Sequence, residues 1–349
     1  MAKAFRFGIQ VGTIPPRKGH EPHEPSPPAQ ADHQGTHEAN LEHSWIRYVQ
    51  KVESLGYSSL FFPDHFGQQL EPLSAIAATA AVTSKLRVGT LVLGVDYRHP
   101  VVVAKAAATI QALSGGRLEL GIGAGWMRSD YDQAGLPMDK PGTRVERLRE
   151  AVEILRRMWT QPSVTFEGAH YNISDIAGEK GSLEDFGVAE PSLLIGGGGR
   201  RVLAIAAKYA DIVGINPTLA EGRVTTKTAT DLSPAKAEQK VAWVREAAEK
   251  AGRDPDSLEL QVLVFAISIG RGAEQVRQAI AGATGMEPGE VAECPLFLTG
   301  SPEEIKDKLI RQREKLGISY VVIQDMQMTP PGTLERFAEE VMVELTKGF

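Results

Sequence analysis

A single cysteine, Cys294, is all the thiol in 349 residues. That excludes an intrachain disulfide and any cysteine-rich zinc or iron–sulfur site. Basic runs are missing as well. The 38 Lys and Arg stand against 44 Asp and Glu, the net charge is −6, and no stretch carries the footprint of a nucleic-acid binder. No apolar run reaches the length of a membrane span, and the first eight residues hold no apolar signal core. The expectation is a cytoplasmic protein that engages neither nucleic acid nor membrane. Apolar residues, at 42%, are plentiful enough for a large core. A single α/β barrel typically takes about 250 residues, more with insertions, so residues 1–349 are read as one domain.

Apolar strands alternate with amphipathic helices along the chain, the pattern of parallel β/α units. Strands are expected at 5–11, 58–62, 86–93, 118–122, 193–195, 212–215, 258–269 and 320–323. Helices are expected at 40–55, 72–83, 101–113, 143–159, 200–209, 234–251, 302–316 and 334–346. Eight of each is what a closed (β/α)8 TIM barrel requires. Insertions around its mouth are expected after strands one, four, five and six. Residues 15–38 are rich in Pro, His and Glu. Residues 162–191 hold a hairpin near 164–171, and residues 216–233 are rich in threonine. Long loops in a compact domain commonly carry function.

In such a barrel, chemistry gathers where the strands end. The second strand ends in Asp64 and His65. Histidine moves protons near neutral pH, although an isolated Asp-His also reads as a plain loop histidine beside a capping aspartate. Strand four ends in Gly121-Ile122-Gly123-Ala124-Gly125-Trp126. Glycines there admit a flat ring or a phosphate close to the backbone. The spacing departs from the dinucleotide fingerprint, because the third glycine comes one residue early. Trp126 either stacks on a ring or packs beneath the insertion. After strand five, Gly196-Gly197-Gly198-Gly199-Arg200-Arg201 opens a helix, and free N–H groups at a helix start attract anions. The run reads as a phosphate site or as a flexible turn. His20, His23, His33, His37 and His43 crowd one segment, but its prolines offer no helical scaffold for a metal, and none is expected.

Together these residues resemble the luciferase-like superfamily, in particular its coenzyme F420 (deazaflavin)-dependent oxidoreductases. The resemblance runs over nearly the whole chain. It is carried by Glu53-Ser54-Leu55-Gly56-Tyr57, Pro63-Asp64-His65-Phe66, Leu86-Arg87-Val88-Gly89-Thr90 and His99-Pro100. Gly115-Gly116-Arg117, the strand-four glycines and Leu298-Thr299-Gly300-Ser301-Pro302-Glu303-Glu304 complete it. It implies a barrel with a tricyclic ring in its mouth, bordered by Asp64 and His65. It also implies a bulge at Leu91-Val92, often with a non-proline cis peptide, behind the ring. Gly123, Ala124, Gly125 and Ser129 fall near the ring's polar end or the ribityl chain. Gly196, Gly197, Gly198, Gly199 and Arg200 fall at the phosphate.

The family's sugar-phosphate dehydrogenases carry a catalytic glutamate after the strand-four glycines, where this chain has Trp126. The resemblance therefore implies hydride transfer between F420 and an unsaturated or carbonyl-containing small molecule, not a sugar phosphate. Asp64, His65 and Trp126 are the catalytic candidates. An FMN-dependent monooxygenase of the same superfamily is the first alternative. A metal-dependent hydrolase and a non-catalytic ligand-binding barrel are the others. A homodimer is expected, paired through the alanine-rich helices after strands two and three.

Overall fold

The computed structural model describes residues 3–12, 41–219, 222–223, 225–325 and 329–347. Eight parallel strands close into a barrel. They are strand one (Arg6–Val11), two (Ser59–Phe62), three (Arg87–Thr90), four (Leu118–Gly123), five (Ser192–Gly197), six (Ile212–Ile215), seven (Glu259–Val264) and eight (Ile318–Asp325). Strand eight pairs with strand one, and strand three with strand four, so the ring has no open edge. After Thr90 the third strand breaks and resumes as Leu93–Gly94, still paired with strand four.

The helix after each strand packs its apolar stripe on the barrel. The best-delimited is Pro302–Leu316. Ser301 and Glu304 form a reciprocal capping box at its start, Pro302 takes the first turn, and Gly317 ends it in the left-handed conformation. One core lies between the strands and the helices. A second fills the barrel interior with Phe61, Leu91, Leu194, Ile212, Leu263, Tyr320 and Val322. Below these, at the strand starts, the buried Glu119 carboxylate meets Arg6, Arg87 (2.5 Å) and the Tyr320 hydroxyl (2.7 Å). This polar plug closes the lower end and leaves chemistry to the upper one.

The expected strand at 258–269 is two strands. Its first half stays in the barrel. Its second half, Ala266–Ile269, leaves to pair in parallel with Phe297–Gly300, which the sequence reading missed. The helices Ala273–Thr284 and Pro288–Glu293 lie between them, so strand seven carries an insertion of its own. The apolar run is continuous, and an apolar run does not say which neighbour each half will bond. The insertion expected after strand five is absent: Gly198 and Gly199 alone join it to the helix Arg200–Tyr209. The hairpin is wider than expected, with Ser163–Glu167 against Asn172–Ala177. The insertion after strand one lies outside the described residues. Among the described residues, no helix is long and apolar enough to cross a membrane.

Candidate active site

Polar side chains also stand near the upper ends of several strands. Gln10 is the next-to-last residue of strand one and Gln324 of strand eight, and Asn216 follows strand six. The Leu91–Val92 peptide is cis. The Gln10 amide donates to the Leu91 carbonyl and accepts from Gln324 Nε2 at 3.0 Å. Val92 lies across the strand-four and strand-five glycines. A Cβ at Gly123 would come within 2.8 Å of it, and one at Gly196 within 3.2 Å. The ends of strands three, four and five therefore meet on one floor.

Asp64 and His65 are adjacent in sequence but separate in role. The buried Asp64 carboxylate accepts two bonds from Arg98 (2.7 and 3.0 Å) and one from the Gly94 N–H (2.9 Å). It thereby fastens the segment that follows the third strand's break. His65 turns instead to Asp130, with Nδ1 at 2.7 Å from Oδ2. Asp130 is buried in the short helix Arg128–Ala134, and it also accepts from the Tyr97 hydroxyl (3.2 Å) and the Phe66 N–H (3.3 Å). Burial and the Asp130 carboxylate together hold the Tyr97 hydroxyl well above the usual range, so it stays a donor. The tautomer with its proton on Nδ1 satisfies this bond and carries its lone pair on Nε2. The Trp126 ring stands at 86° to the imidazole, 5.5 Å between centroids.

The neighbouring loops brace this pair. Tyr131 donates to Asp96 at 2.7 Å, and Arg147 joins Asp96 to Asp139. A cavity of about 290 Å³ lies behind them, lined by Val95, Arg98, His99, Pro137 and Tyr171 among others. Gly222, in the insertion after strand six, accepts from the Arg128 N–H at 3.1 Å, so that insertion rests on the strand-four turn.

Of the other expected residues, Ala124 and Gly125 are half-buried in the turn beside Trp126, and Ser129 is exposed on the first turn of its helix. Gly199 begins the helix Arg200–Tyr209 with no side-chain cap on its first N–H groups. The Arg200 guanidinium pairs with Glu246 at 2.9 Å and lies over Trp243. His99 caps the helix Pro100–Leu113. His20, His23, His33 and His37 lie outside the described residues. Among the described residues no three His, Cys, Asp or Glu side chains gather as a metal set.

Asp130, Arg98, Gln10 and Gln324 were missed in the sequence. The two glutamines had a signal, a polar residue that follows directly on the apolar stretch of its strand. Asp130 had none, since only folding brings it beneath His65.

The luciferase-like monooxygenase family model matches residues 26–294. An F420-dependent glucose-6-phosphate dehydrogenase of Intrasporangium calvum is 38% identical over 140 residues, which are 37% of this chain and 42% of that relative. One of Beutenbergia cavernae is 27% identical over 325 residues, covering 86% of this chain and 92% of that relative. The coenzyme F420-dependent tetrahydromethanopterin reductase of Methanopyrus kandleri superposes with a TM-score of 0.68 at 18% identity, over 98% of this chain and 100% of that one. The exclusion of sugar phosphates is corrected by these relatives, which are named for a sugar-phosphate substrate. It rested on the lack of one glutamate at Trp126, the residue whose indole stands against the imidazole of the His65–Asp130 pair. With a matching family model over most of its length and a barrel of the same architecture, this chain belongs to the luciferase-like monooxygenase family.

Proposed function

We propose that this protein is an F420-dependent dehydrogenase that oxidises a hydroxyl-bearing substrate to a carbonyl, with sugar phosphates the first class to test. The single observation that carries the reading is the His65–Asp130 pair at the mouth of the barrel. The relatives named above support the cofactor and the substrate class.

The residues fit the cofactor. A Cβ on Gly199 would meet nothing within 4 Å, so the uncapped helix start after strand five is open to a phosphate. Val92, Gly123 and Gly196 form an apolar floor on which a flat ring can lie. Ala124 and Gly125 offer backbone groups beside it, and Gln10 and Gln324 offer amides. When bound, the deazaflavin ring supplies the hydride acceptor.

The chain's own part is proton transfer and orientation. As the substrate's carbinol C–H bond breaks, its O–H proton passes to His65 Nε2. Asp130 then stabilises the imidazolium through Nδ1. Trp126 walls the imidazole from water, and Asp64 acts through Arg98 and Gly94 to keep the third strand's end in place. A positioned general base contributes about 10²–10⁴-fold. A homodimer belongs to the same proposal. Val102 and Leu113 stay 59% and 74% exposed on the helix Pro100–Leu113, beside the alanine-rich helix Pro72–Ala81.

The test is reconstitution. Purified protein with F420 and glucose 6-phosphate should reduce the cofactor, read as loss of its fluorescence, and light scattering should give twice the chain mass. Tight F420 binding without turnover of any sugar phosphate would remove the substrate reading. FMN binding with NADH-driven oxygen consumption would replace the dehydrogenase by a monooxygenase.

A further inference from the structure

A buried lysine stands behind the glycine run. Lys240, midway along the helix Pro234–Lys250, has a side chain only 2% exposed. Its ammonium has three N–H groups and four oxygens within 3.3 Å. These are Gly198 O at 2.8 Å, Asn216 O at 3.2 Å, Thr218 Oγ1 at 3.3 Å and Asp231 Oδ2 at 2.8 Å. Two of the four are main-chain carbonyls from the loops after strands five and six. The same loops touch directly, because a Cβ on Gly198 would fall 2.4 Å from Asn216 O and 2.5 Å from Thr218 N. Lys240 therefore fixes both loops to each other from behind.

Peptide geometry gives this contact a consequence at the front. In a trans peptide the C=O of one residue and the N–H of the next point in opposite directions. A Gly198 carbonyl turned to Lys240 turns the Gly199 N–H away from it, toward the open side where the helix Arg200–Tyr209 begins uncapped. The lysine also polarises that peptide, which makes its N–H a better anion donor. Asp231 balances the charge only in part. Its side chain is 34% exposed and screened by water, whereas the ammonium is not. Burial pulls the Lys240 ammonium below the usual lysine range, and Asp231 opposes that pull.

We infer that Lys240 is a positioning residue for the cofactor's phosphate: it orients the Gly198–Gly199 peptide toward the anion and sets affinity for the phosphate-bearing ligand without touching it. The inference rests on the reading that the run Gly196–Gly199 receives the phosphate.

The experiment compares equilibrium binding of F420 with that of its phosphate-free deazaflavin riboside, by fluorescence titration, in the intact protein. The wild type is expected to bind F420 at least tenfold more tightly than the riboside. Lys240→Met is expected to weaken F420 by about tenfold and to leave the riboside within twofold. Asp231→Asn, which keeps an acceptor and removes the opposing charge, is expected to tighten F420 by about threefold and again spare the riboside. A loop staple alone would not produce opposite signs. Equal weakening of both ligands by Lys240→Met, or weaker F420 binding by Asp231→Asn, would overturn the inference. A wild type that binds both ligands equally would instead overturn the phosphate reading beneath it. Should Lys240→Met fail to fold, the Asp231→Asn titration decides alone.

Discussion

His65 and Asp130, 65 positions apart in sequence, meet through a 2.7 Å bond between Nδ1 and Oδ2, while Asp64, the immediate neighbour of His65, is bound elsewhere. The two carboxylates thus divide the work. Asp64 meets a guanidinium and a backbone N–H, which keep it in a fixed structural role. Asp130 meets an imidazole, a phenol and one backbone N–H, so its charge bears on a group that can change protonation.

Replacing Asp130 by Asn tests that division. The amide can donate to Nδ1, which moves the imidazole proton to Nε2 and removes the base. We expect kcat to fall by about 10²–10³-fold with F420 affinity retained. His65→Ala should cost as much, and the double variant little more, because residues acting as a unit are not additive. A fall in kcat with KM and F420 affinity unchanged separates this role from a packing role. Unchanged kcat in Asp130→Asn would refute the assignment.

The sequence carried the barrel well because its signals are local. Each strand is a short apolar run, each helix has a stripe, and helix starts such as Ser301-Pro302 with Glu304 are written in adjacent residues. The Asp64-His65 pair and the glycine runs stood out for the same reason, whereas the break at Leu91-Val92 was expected only from the resemblance. Asp130, Arg98 and Lys240 were not. Each acts on a partner 30 or more residues away, and its own neighbourhood reads as ordinary polar helix or loop. The course of residues 258–269 was hidden by a different ambiguity, since burial explains an apolar strand without naming its partner.

Arg98 supports the mouth through charge. Its partner Asp64 is buried, and removing one member of a buried pair leaves an uncompensated ion. Arg98→Met should lower stability by about 3–5 kcal/mol, read from urea unfolding. Arg98→Met combined with Asp64→Asn should recover part of that loss. If the double variant is no more stable than the single one, the cost lies in packing and not in charge.

Gly125 is required by both its backbone and its neighbour. Its φ is +70°, and a Cβ there would fall 2.0 Å from the Tyr131 hydroxyl. Gly125→Ala should cost about 1–2 kcal/mol for the left-handed backbone alone, and more from displacing Tyr131 off Asp96. The near-ultraviolet signal of the tyrosines should change in the folded variant. Gly199→Ala meets no such obstacle and serves as the control for stability.

Stability should also depend on pH through Lys308. This lysine is fully enclosed, its ammonium donates to the Cys294 and Phe297 carbonyls, and among the described residues no carboxylate pairs with it. Burial pulls it down to about 8 from the ordinary 10.5. The folded state therefore releases the proton at a lower pH than the unfolded state. Between these values the unfolded chain binds more protons, so stability rises with pH across that window and is lost as pH falls through about 8. Lys308→Met has no proton to release. The stability of wild type relative to Lys308→Met should therefore climb by about 2 kcal/mol between pH 7 and pH 9.5, measured by denaturant unfolding at each pH. Titrating groups that do not interact with Lys308 shift both proteins alike and cancel in the difference. A flat difference across that range would mean that water or a rearranged partner solvates the ammonium, and the enclosed charge would then have no hold on folding.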